Sequence, residues 1–435
     1  MPTVYYAIHI GGTMSTAGTW SVISAKDATR VGGAVVPTTG DTCILDDYSG
    51  NVLCNANITI ATLNMTGYTG TLNTTGYLTL TAGATLQGLF TGTNGIIVTG
   101  GGVTLAGTCT NAAGTFNISI TTAAQTLVSG GNTWTGKLTL SYAGITTFNG
   151  NWINTGLVTL NTGANVLAQQ NGTETLTAQG GLTVSSAMGA TSAVGLIITG
   201  GTWSGQALIY GNLTINPSVS NVTVSGSVGF GTGVLTYTPS TYSVITTGST
   251  VAITMASTTF NTDGIIWNNI SIYPTNYGTS ITITLTSPLT MTGYLGLTQS
   301  NNTETFNGAF NITCGYLYIA PATAGGTFVF TAGQTLNITK GIWALNGPTA
   351  AGVYSYMTIK SSSTGVPTFI NYTGTLANEV LGGVIFTDVY ATATTVPFYG
   401  ASLLNYSGGT LTRTSGIKNV NATNIEKPIN NFTGL

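Results

Sequence analysis

The feature that most constrains this chain is a long stretch without a charged side chain. No Asp, Glu, Lys, Arg or His occurs between Asp47 and Lys137, and only 4% of the 435 residues are charged. Globular proteins average about 25%. Disordered chains combine low hydrophobicity with high net charge, whereas this chain is 42% hydrophobic with a net charge of −2. The sequence therefore predicts a folded protein solvated by hydroxyl and amide side chains.

Short stretches alternate between apolar residues and Thr, Ser or Asn. The stretch FNISI (116–120) places Phe116, Ile118 and Ile120 on one face, and ITITL (281–285) repeats the pattern. Alternation with a period of two indicates half-buried strands, which β-branched residues favour. Gly-rich and Asn-rich breaks such as TGTNG separate these stretches and are typical of turns. No convincing amphipathic helix is found, so the chain is expected to be all-β.

Related segments recur along the chain. The segment GNTWTGKLTL (131–140) is echoed by NGNWINTGLVTL (149–160). Apolar pairs recur near Phe116, Leu138, Val158 and Leu182, a spacing of about 20 to 24 residues. Such a period predicts a solenoid whose stacked coils share one core. The missing leucine-rich helical pattern favours a β-solenoid, and specifically a right-handed parallel β-helix.

The same fold explains the missing charge. In a parallel stack each residue lies about 5 Å from its counterparts on the neighbouring coils, so repeated like charges would repel. Thr and Asn can hydrogen-bond along such a column instead. The alternative is a series of tandem antiparallel β-sandwich domains, which would need linkers between blocks of about 100 residues. No clear linker is found.

Both ends carry more charge than the middle. Residues 1–50 hold four of the ten acids and are interpreted as an N-terminal capping or attachment region. Residues 51–365 are interpreted as the β-solenoid body. Residues 366–435 regain charge and end in NATNIEKPINNFTGL, which predicts a β-rich segment followed by an extended tail.

The chain offers few groups for catalysis. Asp46 and Asp47 are adjacent, so in a strand they would point to opposite faces and make a poor acid–base pair. His9 has no Ser-His-Asp or Cys-His pattern around it, and its segment YYAIHIGG is interpreted as an opening strand. Three further acids are isolated in sequence and are interpreted as solvated turn residues: Glu174, Asp263 and Glu304. The sequence therefore predicts no catalytic residue and no enzyme.

No cofactor or metal site is predicted either. The Gly-rich stretches at 99–107 and 229–233 lack a following P-loop Lys and are interpreted as turns. Asp is too rare for a calcium-binding solenoid repeat. The cysteines form no CxxC pair and are interpreted as buried thiols, although two of them, Cys43 and Cys54, could face each other: Cys43, Cys54, Cys109 and Cys314.

Charge and hydropathy also bear on partners and localisation. Eight Lys and Arg, spread singly, make no basic stripe, so nucleic acid is not an expected partner. No apolar run reaches about 18 residues, so no membrane span is expected. The first twenty residues lack the basic and apolar regions of a secretory signal, which predicts assembly in a cytoplasm.

Two sets of residues have both a structural and a functional interpretation. The six tryptophans either fill the core or its corners, or stack on sugars and proteins from the surface: Trp20, Trp134, Trp152, Trp203, Trp267 and Trp343. The Asn-x-Ser/Thr asparagines are glycan acceptors in a secreted protein, but are interpreted here as ladder residues: Asn57, Asn64, Asn73, Asn117, Asn171, Asn212, Asn221, Asn269, Asn301, Asn311, Asn337, Asn371, Asn405, Asn421 and Asn431.

The two ends carry a resemblance to a known group. Residues 19–72 contain Trp20, the turn Val36-Pro37-Thr38 with Gly40-Asp41, and the coil LNMTGYTGTL (63–72). This pattern resembles the opening of β-helical virion structural proteins of tailed bacteriophages. Residues 382–420 are similar to the closing segment of the same group. The resemblance implies a structural protein on the virion exterior, assembled in the host cytoplasm. It also implies a homotrimer that contacts other virion proteins, with a host-surface glycan as a further candidate partner.

The leading hypothesis is therefore an exterior tail fibre or spike subunit that contacts the host surface. A capsid decoration or head-fibre protein is the nearest alternative, and copy number per particle would separate the two. A prokaryotic surface filament or adhesin predicts glycans on the asparagines and an export signal. A polysaccharide depolymerase predicts two or three of the scarce carboxylates clustered in a groove.

Overall fold

The computed structural model confirms an all-β chain of parallel strands stacked as a β-solenoid. It describes residues 2–33, 35–111, 114–122, 124–141, 144–161, 165–169, 174–184, 195–205, 208–209, 213–230, 233–238, 240, 244–253, 258–261, 264–272, 280–297, 303–319, 326–345, 357–374, 379–382, 384–392, 398–401 and 417–420. The one helix within these ranges is a 3-10 turn at Ala17–Thr19. None of the described residues belongs to a helix that is long and apolar enough to cross a membrane.

The strands of the first half are β1 Val4–Ala7, β2 Gly12–Thr13, β3 Trp20–Ser21, β4 Thr42–Ile44, β5 Val52–Cys54, β6 Ile58–Asn64, β7 Thr71–Thr74, β8 Leu78–Gly92, β9 Ile96–Val98, β10 Val103–Asn111, β11 Asn117–Ile120, β12 Gln125–Val128, β13 Thr133–Trp134, β14 Lys137–Leu140, β15 Gly144–Asn149, β16 Trp152–Asn154, β17 Val158–Leu160, β18 Asn165–Gln169, β19 Thr175–Ala178, β20 Gly181–Val184, β21 Gly195–Ile198, β22 Gly201–Gly205, β23 Leu208–Ile209 and β24 Leu213–Ile215.

The remaining strands are β25 Val222–Phe230, β26 Gly233–Tyr237, β27 Val244–Ile253, β28 Thr258–Asn261, β29 Ile266–Trp267, β30 Asn269–Ile272, β31 Ile281–Leu285, β32 Leu289–Met291, β33 Tyr294–Leu297, β34 Thr303–Asn307, β35 Ile312–Ile319, β36 Thr327–Phe330, β37 Thr335–Leu345, β38 Met357–Ser361, β39 Thr368–Tyr372, β40 Glu379–Gly382, β41 Val384–Thr387, β42 Val389–Thr392, β43 Phe398–Ala401 and β44 Ile417–Val420.

The strand pairing excludes the sandwich architecture. Within the described registers, β1 pairs with β3 antiparallel, and every other pair of named strands runs parallel. Most parallel partners are separated by intervening strands; β11, for example, pairs with β9 and β14, although β8 also pairs parallel with its sequence neighbours β7 and β9. A β-sandwich of hairpins would pair its strands antiparallel. The expectation of tandem β-sandwich domains is therefore wrong, while the right-handed sense of winding stays a prediction.

The chain divides into two compact units. The first unit comprises Met1–Val228 and Thr238–Thr247, and the second comprises Gly229–Tyr237 and Gly248–Leu435. The predicted boundaries of the N-terminal region at 50 and of the C-terminal segment at 365 stay predictions. The tail NATNIEKPINNFTGL lies outside the described residues.

In the first unit a continuous apolar column runs through the interior. One residue from each coil pairs with its counterpart on the next coil, in the order Leu78, Ile96, Ile118, Leu138, Val158, Leu182, Trp203 and Val224. All eight side chains are buried. Their spacing along the chain is 18 to 24 residues, which confirms the period expected from sequence.

A polar column points outward beside the apolar one. Its described members are Thr59, Thr79, Ile97, Ser119, Thr139, Thr159 and Thr183. Except for Ile97, all of them are neutral hydroxyl residues. The outer face therefore avoids the repulsion that a column of like charges would create at a spacing of about 4.8 Å.

The second unit has the same construction with longer coils. A buried column contains Ile281, Glu304, Phe328, Ile359 and Phe386, which are separated by 23 to 31 residues. Beside it, Phe306 and Phe330 stack with ring centroids 5.0 Å apart and an interplanar angle of 6°. Direct stacking follows from the parallel register, because identical side chains lie one above the other.

Candidate functional site

A corner in strand β35 separates two outer faces of the second unit. The pairing of β35 with β37 shifts register between Cys314 and Tyr316. A Cβ on the intervening Gly315 would lie 2.5 Å from the Thr292 carbonyl oxygen and 2.7 Å from the Gly293 carbonyl oxygen. Only glycine allows the neighbouring coil to approach this closely. Gly315 therefore fixes the bend that places Tyr316 and Tyr318 on the face beyond the corner.

That face carries four aromatic side chains, which we call the aromatic platform: Tyr294, Tyr316, Tyr318 and Trp343. They lie on the parallel strands β33, β35 and β37, where Tyr294 pairs with Tyr316 and Tyr318 pairs with Trp343. Leu295, Leu317 and Ile342 alternate with them and are buried. Tyr316 is 45% exposed and the other three rings are half-buried.

The geometry of the rings is defined by contacts on the platform itself. Tyr318 and Trp343 meet edge to face, with centroids 5.5 Å apart and an interplanar angle of 89°, a preferred arrangement of aromatic pairs. The Tyr294 ring lies over Gly296, because a Cβ there would be 3.3 Å from that ring. Across the ladder Gly296 opposes Tyr318 and Gly341 opposes Tyr316. On one of its two neighbouring coils, each tyrosine of β35 therefore lies opposite a glycine, which has no side chain.

Lys340 contacts both the corner and the platform. Its Nζ donates a hydrogen bond of 3.2 Å to the Thr292 carbonyl oxygen and lies 5.9 Å from the Tyr316 ring centroid. Its stem passes within 3.3 Å of the position that a Cβ on Gly315 would take. The ammonium therefore makes a cation–π contact with Tyr316. Together with the hydrogen bond to Thr292, this contact holds the lysine side chain along the edge of the platform.

A polar column occupies the face before the corner. Thr313, Asn337 and Asn371 pair in sequence order across β35, β37 and β39. The Asn371 amide nitrogen donates to Asn337 Oδ1 at 3.0 Å, and the Asn337 amide nitrogen donates to Thr313 Oγ1 at 3.4 Å. Aromatic rings and a ladder of amides and hydroxyls therefore lie on either side of one corner.

Most of the tryptophans do not contribute to the surface. The rings expected either in the core or as surface anchors are fully buried at five positions: Trp20, Trp134, Trp152, Trp203 and Trp267. Trp134 packs edge to face with Phe90 and Phe116. The surface-anchor interpretation is therefore wrong for these five. Trp343 is the exception. Tyr316 and Tyr318 belong to no segment that the sequence analysis singled out, although the alternation in GYLYI (315–319) is a signal that could have placed them on one face.

Comparisons with known proteins give no further identification. No protein-family model, curated protein or solved structure matches the chain. The interpretation of the site therefore rests on the chemistry of its own residues.

The carboxylates near the N-terminus have structural roles. Arg30 donates two hydrogen bonds of 2.8 Å to the two carboxylate oxygens of Asp46, and the guanidinium lies 5.2 Å from the Tyr6 ring and 5.1 Å from the Tyr48 ring. Burial opposes ionisation of Asp46, but hydrogen bonds from Arg30 and Ser49 outweigh it and lower the pKa of that carboxyl. Asp47 forms an exposed ion pair with Lys26. Both acids lie in the turn after β4 rather than in a strand, so the expectation of opposite strand faces does not apply to them.

The acids interpreted as solvated turn residues are placed differently. Glu304 lies inside strand β34 and is fully buried, and Glu174 is also buried. The solvated interpretation is therefore wrong for both, and the turn interpretation is also wrong for Glu304. In TETFN (303–307) Phe306 points inward, and the period of two sends Glu304 inward with it. Asp263 lies outside the described residues.

The remaining candidates form no assembled centre in the described part of the chain. His9 follows β1 in an exposed turn rather than lying in the strand, with its ring 5.5 Å from that of Tyr48. Gly101 and Gly102 adopt φ of +73° and +75° in the turn before β10. The four cysteines are free and buried. Among the described residues, no three His, Cys, Asp or Glu side chains could jointly hold a metal ion.

Several Asn-x-Ser/Thr asparagines are ladder residues. Asn57, Asn269 and Asn311 each accept a hydrogen bond from a backbone N–H 20 to 25 residues later, at distances of 2.9 to 3.1 Å. Asn51 and Asn151, which lie outside such motifs, do the same. The side chain thus satisfies a donor at the start of the next coil's strand, which supports the structural interpretation of the described asparagines.

Proposed function

We propose that this protein is a structural component of a tailed-phage virion, an exterior β-helical fibre or spike subunit that contacts the host surface. The observation that carries the proposal is the stacked solenoid with neutral outer columns. A solenoid presents long, regular outer faces, and faces without net charge interact little with ionic surroundings. The resemblance of residues 19–72 and 382–420 to phage virion proteins gives the class of particle.

Two further features support a binding rather than a catalytic role. Asp46 is neutralised by Arg30, and Glu304 is sealed in an apolar column, so neither is placed to act on a polysaccharide. The aromatic platform offers a contact surface outside the core. A glycoside hydrolase would need two free carboxyl groups roughly 5 to 10 Å apart around the substrate, whereas Asp46 is bound by Arg30 and Asp47 by Lys26.

The test is to locate and count the chain on purified particles. Antibodies raised against the 44.3 kDa chain would label virions for electron microscopy, and quantitative mass spectrometry would give its ratio to the major capsid protein. Label at the tail with a low ratio is the expected result. A high ratio with label over the whole shell would favour a capsid decoration protein, and absence from particles would refute both.

Three measurements address the adhesin hypothesis, the depolymerase hypothesis and the oligomeric state. An intact mass equal to that of the bare chain would count against a glycosylated surface adhesin. Incubation with host polysaccharide that yields new reducing ends or double bonds would support a depolymerase instead. Light scattering should give three times the chain mass, because the resemblance implies a homotrimer.

A further inference from the structure

We propose that the aromatic platform of Tyr294, Tyr316, Tyr318 and Trp343 is a binding site for a neutral oligosaccharide, which stacks its sugar rings on the exposed aromatic faces. The inference deepens the proposed function, because it gives the host contact of the fibre a location and a ligand class. The binding site itself is argued from the contacts of the four rings and can be tested on the purified chain.

The rings are exposed where the fold does not require them. Inward positions of the same strands already bury Leu295, Leu317 and Ile342, so the platform adds nothing to the interior. On the outer column of the first unit the corresponding positions are mostly Thr or Ser. Four rings on three successive coils span about 10 Å along the stack. A row of aromatic rings on a parallel sheet is therefore partly open to solvent, with Tyr316 the most exposed.

The chemistry around the rings favours a sugar. A pyranose ring has apolar C–H faces and hydroxyl edges, so it needs an aromatic face with hydrogen-bonding groups beside it. Tyrosine combines an apolar ring with a polar hydroxyl. Around the corner, Thr313, Asn337 and Asn371 add hydroxyl and amide groups. The platform thus offers stacking surfaces that carry their own hydroxyl groups, and a column of neutral polar side chains lies on the adjacent face.

A protein partner fits less well. Specific protein interfaces bury roughly 800 Å² on each side and are centred on desolvated anchors. A single fully buried aromatic side chain buries roughly 150 to 250 Å², and the four rings here are already partly covered. The column before the corner consists of a hydroxyl and two amides rather than apolar side chains. The exposed aromatic area is therefore too small for a protein interface by itself.

The ligand is expected to be neutral because the charged side chain that the described contacts place beside the platform, Lys340, is already engaged. Its Nζ is held by the Thr292 carbonyl oxygen and the Tyr316 ring. Stacking does not depend on ionic strength in the way that ion pairing does. Binding should therefore persist in high salt.

The first experiment uses the fluorescence of Trp343. Five of the six tryptophans are fully buried, so aqueous iodide should quench Trp343 and leave the others largely unaffected. The variant Trp343→Phe should lose the quenchable component. Addition of an oligosaccharide that the protein binds should protect Trp343 from quenching by iodide. Such protection would locate the ligand on the platform.

The second experiment screens the purified full-length chain on a printed array of neutral and acidic bacterial oligosaccharides, washed in low and in high salt. We expect retention on neutral glycans in both washes. Tyr316→Ser should weaken binding by about tenfold or more, as is typical for loss of one aromatic stacking partner. Tyr77→Ser is the matched control, because Tyr77 is also 45% exposed but lies in the first unit; its binding should be unchanged.

Other outcomes would overturn the proposal. Retention on no neutral glycan, or equal loss in both tyrosine variants, would refute the site. Retention on acidic glycans alone, lost in high salt, would indicate binding through Lys340 instead. If Tyr316→Ser changes the oligomeric state in light scattering, the platform is a contact between copies. None of these results alters particle labelling, so failure of the glycan site and failure of the virion proposal are distinguishable.

Discussion

The buried carboxyl of Glu304 should make the protein less stable as the pH rises. The side chain is fully buried between Ile281 and Phe328, and neither carboxyl oxygen has a hydrogen-bond partner among the described residues. Burial raises the pKa of Glu304 to about 8, because the charged form would lose its hydration without gaining a partner. Glu304 is therefore neutral in the folded protein at pH 7.

The size of the effect follows from proton linkage. Below pH 4.5 Glu304 is protonated in both the folded and the unfolded chain, and the penalty is absent. Between pH 4.5 and about 8 the unfolded chain releases the proton while the folded chain retains it, so stability falls as the pH rises. At about 1.4 kcal/mol per pH unit the loss approaches 5 kcal/mol. Above pH 8 both states are ionised and the loss levels off.

The substitution Glu304→Gln should remove this pH dependence, because glutamine has nearly the same shape and does not titrate. At pH 8 the variant should exceed the wild type by about 10 °C or more in melting temperature, while near pH 4.5 the two should be similar. Circular dichroism melts from pH 4.5 to 9 would measure this. Asp27→Asn, which removes an exposed acid, is the control and should retain the wild-type slope. An unchanged slope in the Glu304 variant would refute the reasoning.

Three further predictions concern the N-terminal ion pair, the ladders and the thiols. Arg30→Ala should destabilise the protein by about 3 to 5 kcal/mol in denaturant titration, because it leaves the buried Asp46 unpaired. Asn311→Ala should cost about 1 kcal/mol in the same assay, since the Thr335 N–H loses its acceptor, and Asn311→Asp should lose less. The thiols should resist iodoacetamide until the chain is unfolded, as judged by mass, because burial raises the pKa of Cys54 to about 11 and of Cys109 and Cys314 to about 12.

The fold class could be predicted because a parallel stack repeats one local rule. The apolar positions near Leu138, Val158 and Leu182 recur at the length of one coil, and each pairs directly with the next in the structure. A period of two within a strand and a period of about twenty between strands together leave few architectures other than a solenoid. The lack of like-charged residues in these columns follows from the same rule.

The site is less predictable, because it depends on where strands bend. Sequence alternation places Tyr316 and Tyr318 on one face, but the register shift at Gly315 determines which face that is. Likewise, the charge of Glu304 favours a turn, because a charged residue is rarely buried. Phe306, two residues further along the same strand, indicates instead that Glu304 points inward. Side-chain polarity and strand period disagree at this position, and the period is the better guide.

The few charges found in the strands follow the stacking argument. Lys137 stands beside Asn117, and Lys360 stands between Val329 and Thr387, so each has neutral neighbours in the ladder. Two like charges about 4.8 Å apart would repel by about 0.9 kcal/mol in water and about 3.5 kcal/mol at the effective dielectric near a protein surface. Repeated over every coil, that cost would exceed the stability of a typical domain. Glu304 also has neutral neighbours in its ladder, Ile281 and Phe328; its cost is desolvation rather than repulsion, and that cost grows as the pH rises toward its raised pKa.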